Sequence, residues 1–471
     1  MLPPVVGEAR RPTDPVSLQL AIMALTRCLG GRFSENPNIR RQHANITSWH
    51  SVEAPDAVAF AESTEEVAAI VRICAEHNVP VIGFGVGSSL EGGVNAPYGG
   101  ICIDLGGMNH ILSVNAEDMD CFVQAGVTLK QLNSYIRDSG LFFSVDPGAD
   151  ASLGGMASTR ASGTTTVRFG TMKDNVLALT VVMADGSVRK TGTRARKSAA
   201  GYDITRLFVG AEGTLGIITE LAIKLHGIPA AIVSAVCSFA DLKSACDAVI
   251  TTIRSGIPMA RIELLDEVQV KACNAYSKLA LPEMPALFLE FHGTETGAAE
   301  QVQFFWDIAQ EFGGHSFAKA STTEERNRIW QARHDVYWAC LALRPGSKFI
   351  ATDVCVPISR LAECLAETHR DIESSGLVAP IVGHVGDGNF HVSIMADVDD
   401  RSEMDRTTTF IGRLNQRAIA MEGTCTGEHG IGQGKREYLV QEHGANVDTM
   451  RAIKQALDPF NIMNPGKIFL S

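Results

Sequence analysis

The sequence contains no C-x-x-C pair, although 11 cysteines are spread over its 471 residues. That spacing removes iron–sulfur ligation, so any electrons must leave through a bound organic cofactor. An odd, scattered set of thiols reads as reduced, in a cytoplasmic compartment or a mitochondrial one if the source is eukaryotic. No run of 18 uncharged apolar residues occurs, so no transmembrane helix is expected. A positively charged start followed by an apolar core is also missing, which argues against a secretory signal. Glu8 and Asp14 interrupt the few arginines of the Pro- and Arg-containing opening. A mitochondrial presequence, which should be Arg-rich and acid-poor, is therefore not read there. Positive charge is scarce overall. A net charge of −12 at pH 7 argues against a nucleic-acid partner, whose phosphates would have to be neutralised. There is no internal repeat, no low-complexity tract and no signal for an oligomeric state.

What is present fits an ordinary globular enzyme, with 45% apolar and 20% charged residues. The length predicts two large domains with decoration. After a helical opening, residues 1–50, the pattern alternates in an α/β manner. Ser63 to His77 reads as a helix, with Ser63 or Thr64 as cap, Glu65 and Glu66 in the first turn, and Val67, Ile70, Val71 and Cys74 on one face. Val79–Phe84 is a buried strand running into glycines. The character changes near Ile228–Pro229, after which strands at 233–239, 262–265 and 286–293 alternate with helices at 241–255 and 298–312. A second α+β domain is expected over 230–430, and a C-terminal helical segment over 431–471.

Three glycine clusters carry the first chemical signal. Pro80-Val-Ile-Gly-Phe-Gly-Val-Gly-Ser-Ser-Leu-Glu-Gly-Gly93 offers backbone N–H groups and the hydroxyls of Ser88 and Ser89 to an anion, with pyrophosphate the natural guest. The order Gly83-x-Gly85-x-Gly87 does not open a convincing helix, so the dinucleotide fingerprint of NAD enzymes is not met. A second cluster runs from Asp146 to Met156 and on to Ala161-Ser-Gly163 and Arg168-Phe-Gly-Thr171. A third is Gly210-Ala-Glu-Gly-Thr-Leu-Gly216. Loops so widely separated imply a long ligand touched from several sides, which favours FAD over NAD.

The second signal is His384-Val-Gly-Asp-Gly-Asn-Phe-His391, with apolar flanks on both sides. It reads as a β-hairpin turning on Gly386–Asn389, with Val385 facing Phe390 and His384 facing His391. Directly opposed side chains sit about 4.5–5.5 Å apart at Cβ, so two imidazoles could share one ion. Gly427-Glu428-His429-Gly430 offers a third ligand in Glu428. Two His and one Glu leave coordination positions open, as a catalytic site requires, and suit Zn or Mn, with Fe also compatible. His429, beside Glu428, is the candidate general base.

The strings P-V-x-G-x-G-x-G-S-S-L-E-G-G, V-D-P-G-A-D-A-S-L-G-G-M-A, V-G-x-E-G-T-L-G, H-V-G-D-G-N-F-H and G-E-H-G together resemble the FAD-linked oxidases of the vanillyl-alcohol-oxidase type. Within them the chain is most similar to the cytochrome-linked D-lactate dehydrogenase group. D-2-hydroxyglutarate dehydrogenase and the glycolate oxidase flavin subunit are relatives. The resemblance covers nearly everything beyond about residue 50. It implies an α+β fold, with a two-subdomain FAD-binding domain over 51–229, a substrate (cap) domain with the metal site over 230–430, and a C-terminal segment that returns to the flavin. It places Gly85, Gly87, Ser88 and Ser89 on the pyrophosphate. Pro147, Gly148, Ser152, Gly155, Ser162 and Gly163 fall near the cofactor, and Thr214 and Ile218 closer to the flavin end or adenosine. Asn464, in Met463-Asn-Pro-Gly-Lys467, matches a motif near the flavin, and Arg333 matches the arginine that takes the substrate carboxylate. The first loop lacks the His that tethers FAD in some relatives, so a noncovalent flavin is expected.

The implied reaction is oxidation of a small D-2-hydroxy acid, with the hydride going to flavin N5. The electrons then pass to an acceptor such as cytochrome c, a quinone or electron-transfer flavoprotein. Where the hydroxyglutarate enzymes carry extra polar groups, this chain has Val336-Tyr-Trp-Ala-Cys-Leu-Ala342. That stretch favours a substrate with a small or apolar side chain, as in D-lactate or 2-hydroxybutyrate, with D-2-hydroxyglutarate or glycolate oxidation as the alternative. Alkyl-dihydroxyacetonephosphate synthases share the fold but catalyse a non-redox alkyl transfer, and the His/His/Glu set argues against that chemistry.

Overall fold

Ser63 accepts a hydrogen bond from the Glu66 N–H at 3.2 Å and so caps the helix Thr64–Glu76. Val67, Ala68, Ile70, Val71 and Cys74 form its buried face. This helix accompanies a four-stranded sheet in the order Phe33–Ser34, Ala57–Phe60, Ile101–Asp104 and Val81–Phe84. The last three strands run parallel, and the first is antiparallel to its neighbour. A second, antiparallel sheet of five strands follows, in the order Ile111–Asn115, Asp120–Gln124, Ile217–Lys224, Val176–Val182 and Val188–Lys190. The computed structural model describes residues 13–44, 48–320 and 322–470. Glu8 and the rest of residues 1–12 therefore lie outside the described residues.

The chain divides into two compact units. The first comprises the described residues up to Ser162, Thr171–Ile228, and the chain from Glu428 onward. Its closing segment carries the helices Arg436–His443 and Asn446–Leu457, then joins the parallel sheet. There the Val81 N–H donates to the Ile462 carbonyl, and the Asn464 N–H donates to the Val81 carbonyl, each at 2.8 Å.

The second unit is Pro229–Gly427 together with Gly163–Gly170. That short insert comes from a stretch read in the sequence as part of the first domain. Its physical anchor is clear. Val167 packs against the second unit's core, and the Arg168 guanidinium donates to the carbonyls of Pro258 and His292 at 2.8 and 3.3 Å.

An antiparallel sheet forms the frame of this unit, running His315–Ala320, Ala231–Ser238, Ala286–Gly293, Met259–Leu265, Ile381–Gly383, Asn389–Ala396 and Lys348–Ala351. The short strand Val354–Cys355 also pairs with Asn389–Ala396. Strand alternation separates two faces. Leu287, Leu289 and Phe291 point to one core, shared with the helices Leu242–Arg254, Glu295–Glu311, Leu361–Ser375 and Arg401–Ala420. Ala286 and Phe288 point to another, shared with Glu267–Ser277, Thr323–His334 and Val336–Leu343. The second face also carries polar side chains, and these matter for function.

Phe305 is fully buried in the first of these cores, with ring centroids 6.1 Å from Phe291 and 6.0 Å from Phe317. Phe305→Ala is expected to cost about 3–5 kcal/mol by transfer and cavity terms. Hydrogen exchange of the Ala286–Gly293 strand reads the loss.

Candidate active site

The strand Val81–Phe84 ends in a loop that holds Gly85, Gly87, Ser88 and Ser89. Gly87 has φ of +72°, and a Cβ there would stand 2.8 Å from the Phe84 ring. A Cβ on Gly85 would meet the Ser152 hydroxyl at 2.2 Å, so these first two glycine clusters touch where a side chain is forbidden. Ser89 accepts the Gly93 N–H at 3.1 Å, closing the loop on itself. By contrast, a Cβ on Gly148, beside Pro147, would meet nothing within 4 Å. Packing does not demand glycine there, and the space is open to a ligand. Ser152 precedes the helix Leu153–Thr159, which contains Gly155. Gly-rich backbone with hydroxyls and no crowding side chains fits a pyrophosphate-bearing cofactor.

Asn464 stitches the clusters together. Its Nδ2 donates to the Gly93 carbonyl at 3.0 Å and to the Glu212 carbonyl at 2.7 Å. Thr214 lies in the third glycine cluster and Ile218 in the strand Ile217–Lys224 that follows it. The Thr214 hydroxyl donates to the Ala211 carbonyl at 2.7 Å, and Ile218 belongs to the hydrophobic core. Both side chains are committed inward. Gly163 falls in the second unit, where its N–H donates to the Thr166 hydroxyl at 3.0 Å. Ser162 donates to Glu428 Oε2 at 2.5 Å, which ties the second cluster to the returning segment.

Three ionisable groups here escaped sequence reasoning. Glu212 accepts the N–H groups of Ile431 and Gly432, both at 2.8 Å, and burial pushes its carboxyl up to about 7 despite those bonds. Lys467 donates to the Asn95 carbonyl at 2.6 Å and to Asn464 Oδ1 at 3.2 Å, and burial pulls its ammonium down to about 7. Burial would raise Glu91, but Lys435, with Nζ 3.2 Å from Glu91 Oε1, helps to hold it below its ordinary value. A charged residue inside a glycine-rich string was the available signal. His429, whose Nε2 lies 3.9 Å from Glu428 Oε1, follows directly in this segment.

In the second unit the histidine hairpin forms with a corrected register. Val382 pairs with His391 and Ile381 with Val392, so the loop is residues 385–388, one position earlier than expected. His384 does not face His391 directly. The cause is Asn389, which joins the strand by pairing with Cys355 and donates from Nδ2 to Asp353 Oδ1 at 2.8 Å and to the Val354 carbonyl at 2.9 Å. His384 then becomes the diagonal neighbour of His391 on the same face, still within reach. The ring centroids are 5.4 Å apart at an interplanar angle of 86°.

Each ring is pinned through Nδ1. His391 Nδ1 lies 2.9 Å from the Thr352 carbonyl, which can only accept, so Nδ1 carries the proton. His384 Nδ1 lies 2.8 Å from Glu263 Oε1, a carboxylate oxygen that fixes the same tautomer. With Nδ1 so engaged, Nε2 is the nitrogen of each ring placed to serve as a metal ligand. Burial would raise Glu263, but His384 and Arg333 outweigh it and hold the carboxyl below its usual range. Arg333 lies at the end of the helix Thr323–His334, and its Nε and Nη2 donate to Glu263 Oε2 at 3.0 and 2.6 Å. The apolar stretch from Val336 is a helix whose Val336, Ala339 and Cys340 are buried, while Tyr337 and Trp338 are exposed. It is not a continuous apolar wall.

Glycine loops stitched over a parallel sheet, followed by an antiparallel sheet with a tautomer-locked histidine pair, define a flavin-binding oxidoreductase. Residues 55–192 match the FAD binding domain, and residues 228–468 match the C-terminal domain of FAD linked oxidases. The chain belongs to the FAD-linked oxidase family. It is 49% identical to a probable mitochondrial D-lactate dehydrogenase of Danio rerio, over 99% of this chain and 95% of that one. It is 46% identical to the mitochondrial D-lactate dehydrogenase [cytochrome] of Arabidopsis thaliana, over 89% and 75%. Among solved structures, p-cresol methylhydroxylase with substrate bound superposes at a TM-score of 0.81 with 19% identity, covering 98% of each chain, which establishes the fold. Among the described residues, no helix is long and apolar enough to cross a membrane.

Gly85→Val drives a side chain into Ser152. The purified variant is expected to keep its far-ultraviolet circular dichroism but to lose most of its bound flavin, read as visible absorbance per chain. Full flavin occupancy would exclude this loop from the cradle.

Proposed function

We propose that the chain oxidises a D-2-hydroxy acid, D-lactate in the first place, to the 2-oxo acid. A divalent metal, Zn or Mn, is held by His384, His391 and Glu428. The observation that carries this reading is the histidine pair, with ring centroids 5.4 Å apart and each Nδ1 engaged, which sets the tautomer suited to ligation through Nε2. A paired-His and carboxylate donor set suits these metals and leaves positions for a substrate. The substrate assignment is supported by the D-lactate dehydrogenases to which the chain is similar over most of its length.

In this reaction the C2–H and O–H bonds of the substrate break, the carbonyl forms, and two electrons leave. Bound FAD supplies the two-electron acceptor, held noncovalently by the glycine loops that contain Gly85, Gly87, Gly148 and Ser152. A divalent cation at the histidines would supply Lewis-acid polarisation of the substrate hydroxyl. His429 takes the hydroxyl proton. Arg333 binds the substrate carboxylate, because its bonds to Glu263 use Nε and Nη2 and Nη1 is the remaining corner of the guanidinium. The electrons pass on to cytochrome c, a quinone or electron-transfer flavoprotein. The cytochrome named for the Arabidopsis relative favours the first.

Adding D-lactate to the oxidised enzyme should bleach the flavin absorbance, and L-lactate should not. A tenfold advantage of D-2-hydroxyglutarate in kcat/KM, about 1.4 kcal/mol of transition-state binding, would overturn the lactate assignment. His384→Ala and Glu428→Gln should each lose bound metal by elemental analysis, and most activity, while retaining FAD. Undiminished turnover by chelated, metal-free enzyme would remove the metal from the reaction. His429→Ala should lower kcat by roughly 10²–10⁴-fold, the usual contribution of a general base.

A further inference from the structure

Glu263 has no solvent exposure. It sits on the strand Met259–Leu265, on the sheet face covered by the helix that carries Arg333. An unpaired carboxylate in such a place would cost several kcal/mol, so its partners explain its presence. It has one on each oxygen. Oε1 faces His384 Nδ1 at 2.8 Å, and Oε2 receives both Arg333 bonds, at 3.0 and 2.6 Å.

We propose that Glu263 is a positioning residue that ties the substrate-binding arginine to the metal-binding histidine through one buried carboxylate. This rests on the roles proposed above for His384 and Arg333. On the His384 side, the carboxylate holds the proton on Nδ1, aims Nε2 at the ion and raises the ring's basicity. On the Arg333 side, it fixes the guanidinium plane and spends two of its donors, leaving one corner for the substrate. Both functions draw on a single planar group with no freedom to rotate. A metal ion and a guanidinium would otherwise repel each other in a site of low dielectric, and the negative charge between them offsets that repulsion. Metal affinity and substrate affinity are therefore linked through this residue.

Glutamine cannot replace it. If its carbonyl accepts from His384, its NH2 is turned against the donors of Arg333, and if it flips, its NH2 opposes the Nδ1 proton of His384 or drives that proton to Nε2.

The test uses the full-length, FAD-loaded chain, stripped of metal by a chelator and titrated with Mn²⁺ by calorimetry and electron paramagnetic resonance. The unsubstituted chain should bind one ion. Glu263→Gln should bind it 10–100-fold more weakly, at unchanged flavin content, and should raise the KM for D-lactate. If the single variant does not fold, Glu263→Leu/Arg333→Met replaces the buried pair by apolar side chains and should fold while keeping the weakened Mn²⁺ binding. Undiminished Mn²⁺ affinity in the folded variant, with flavin intact, would overturn the role of Glu263 and leave the metal site standing. An unsubstituted chain that binds no Mn²⁺ would overturn both.

Discussion

A carboxylate removed wholly from water survives as an ion only where charge and hydrogen bonds replace its hydration, and Glu263 meets that condition from two sides. His384 takes one oxygen and Arg333 the other, and their combined pull outweighs a burial that would otherwise favour the neutral acid. The histidine tautomer, the aim of the arginine and the polar character of one sheet face all follow from this arrangement. It also explains why a sheet built mostly of Leu, Phe, Val and Ile tolerates charge at its centre. Strand alternation sends Ile262 and Leu264 into one core and leaves Glu263 on the opposite face.

The same constraint, applied to backbone, organises the flavin cradle. Glycine loops expose N–H and C=O groups that need partners if they are to hold one shape. Asn464 supplies partners to two loops at once, and Glu212 caps two N–H groups of the returning segment. Lys467 in turn satisfies Asn464 and the Asn95 carbonyl. The C-terminal stretch therefore acts as a clasp over loops that are far apart in sequence. If the flavin binds there, it would meet groups whose positions are already set, and little ordering cost would remain to be met on binding.

Much of this was legible from residues alone, and the exceptions have identifiable causes. The helix at Ser63 was announced by its cap and its apolar spacing, both local features, and it formed as read. The break at Ile228–Pro229 and the alternating strands beyond it were equally local. The hairpin register was not, because it depends on Asn389 finding Asp353 and Val354, more than thirty residues away. The segment Gly163–Gly170 joined the second unit through Val167 and Arg168, and nothing in its own composition marks that choice. Glu263 went unnoticed for the same reason. A single acid in Arg-Ile-Glu-Leu-Leu looks like an ordinary edge residue until the helix from Thr323 covers it.

That polar face also bears on which 2-hydroxy acid the chain would select. The helix from Val336 exposes Tyr337 and Trp338 and buries Val336, Ala339 and Cys340, so an argument from a bulky apolar wall loses its footing. Charge balance offers a firmer one. On this face the guanidinium groups of Arg333 and Arg261 are each met by a buried carboxylate, Glu263 at 2.6 Å and Glu290 at 3.7 Å. Arg261 is further engaged over the Trp330 ring at 4.6 Å, and Glu290 also holds His292 at 2.7 Å. A second substrate carboxylate would enter a neighbourhood whose positive charge is already countered and would have to shed its hydration for little return. On the reading proposed above, the one substrate carboxylate would take the corner of Arg333 that Glu263 leaves. If Arg333 has that role, the electrostatics of the sheet favour a monocarboxylic substrate such as lactate over a dicarboxylic one.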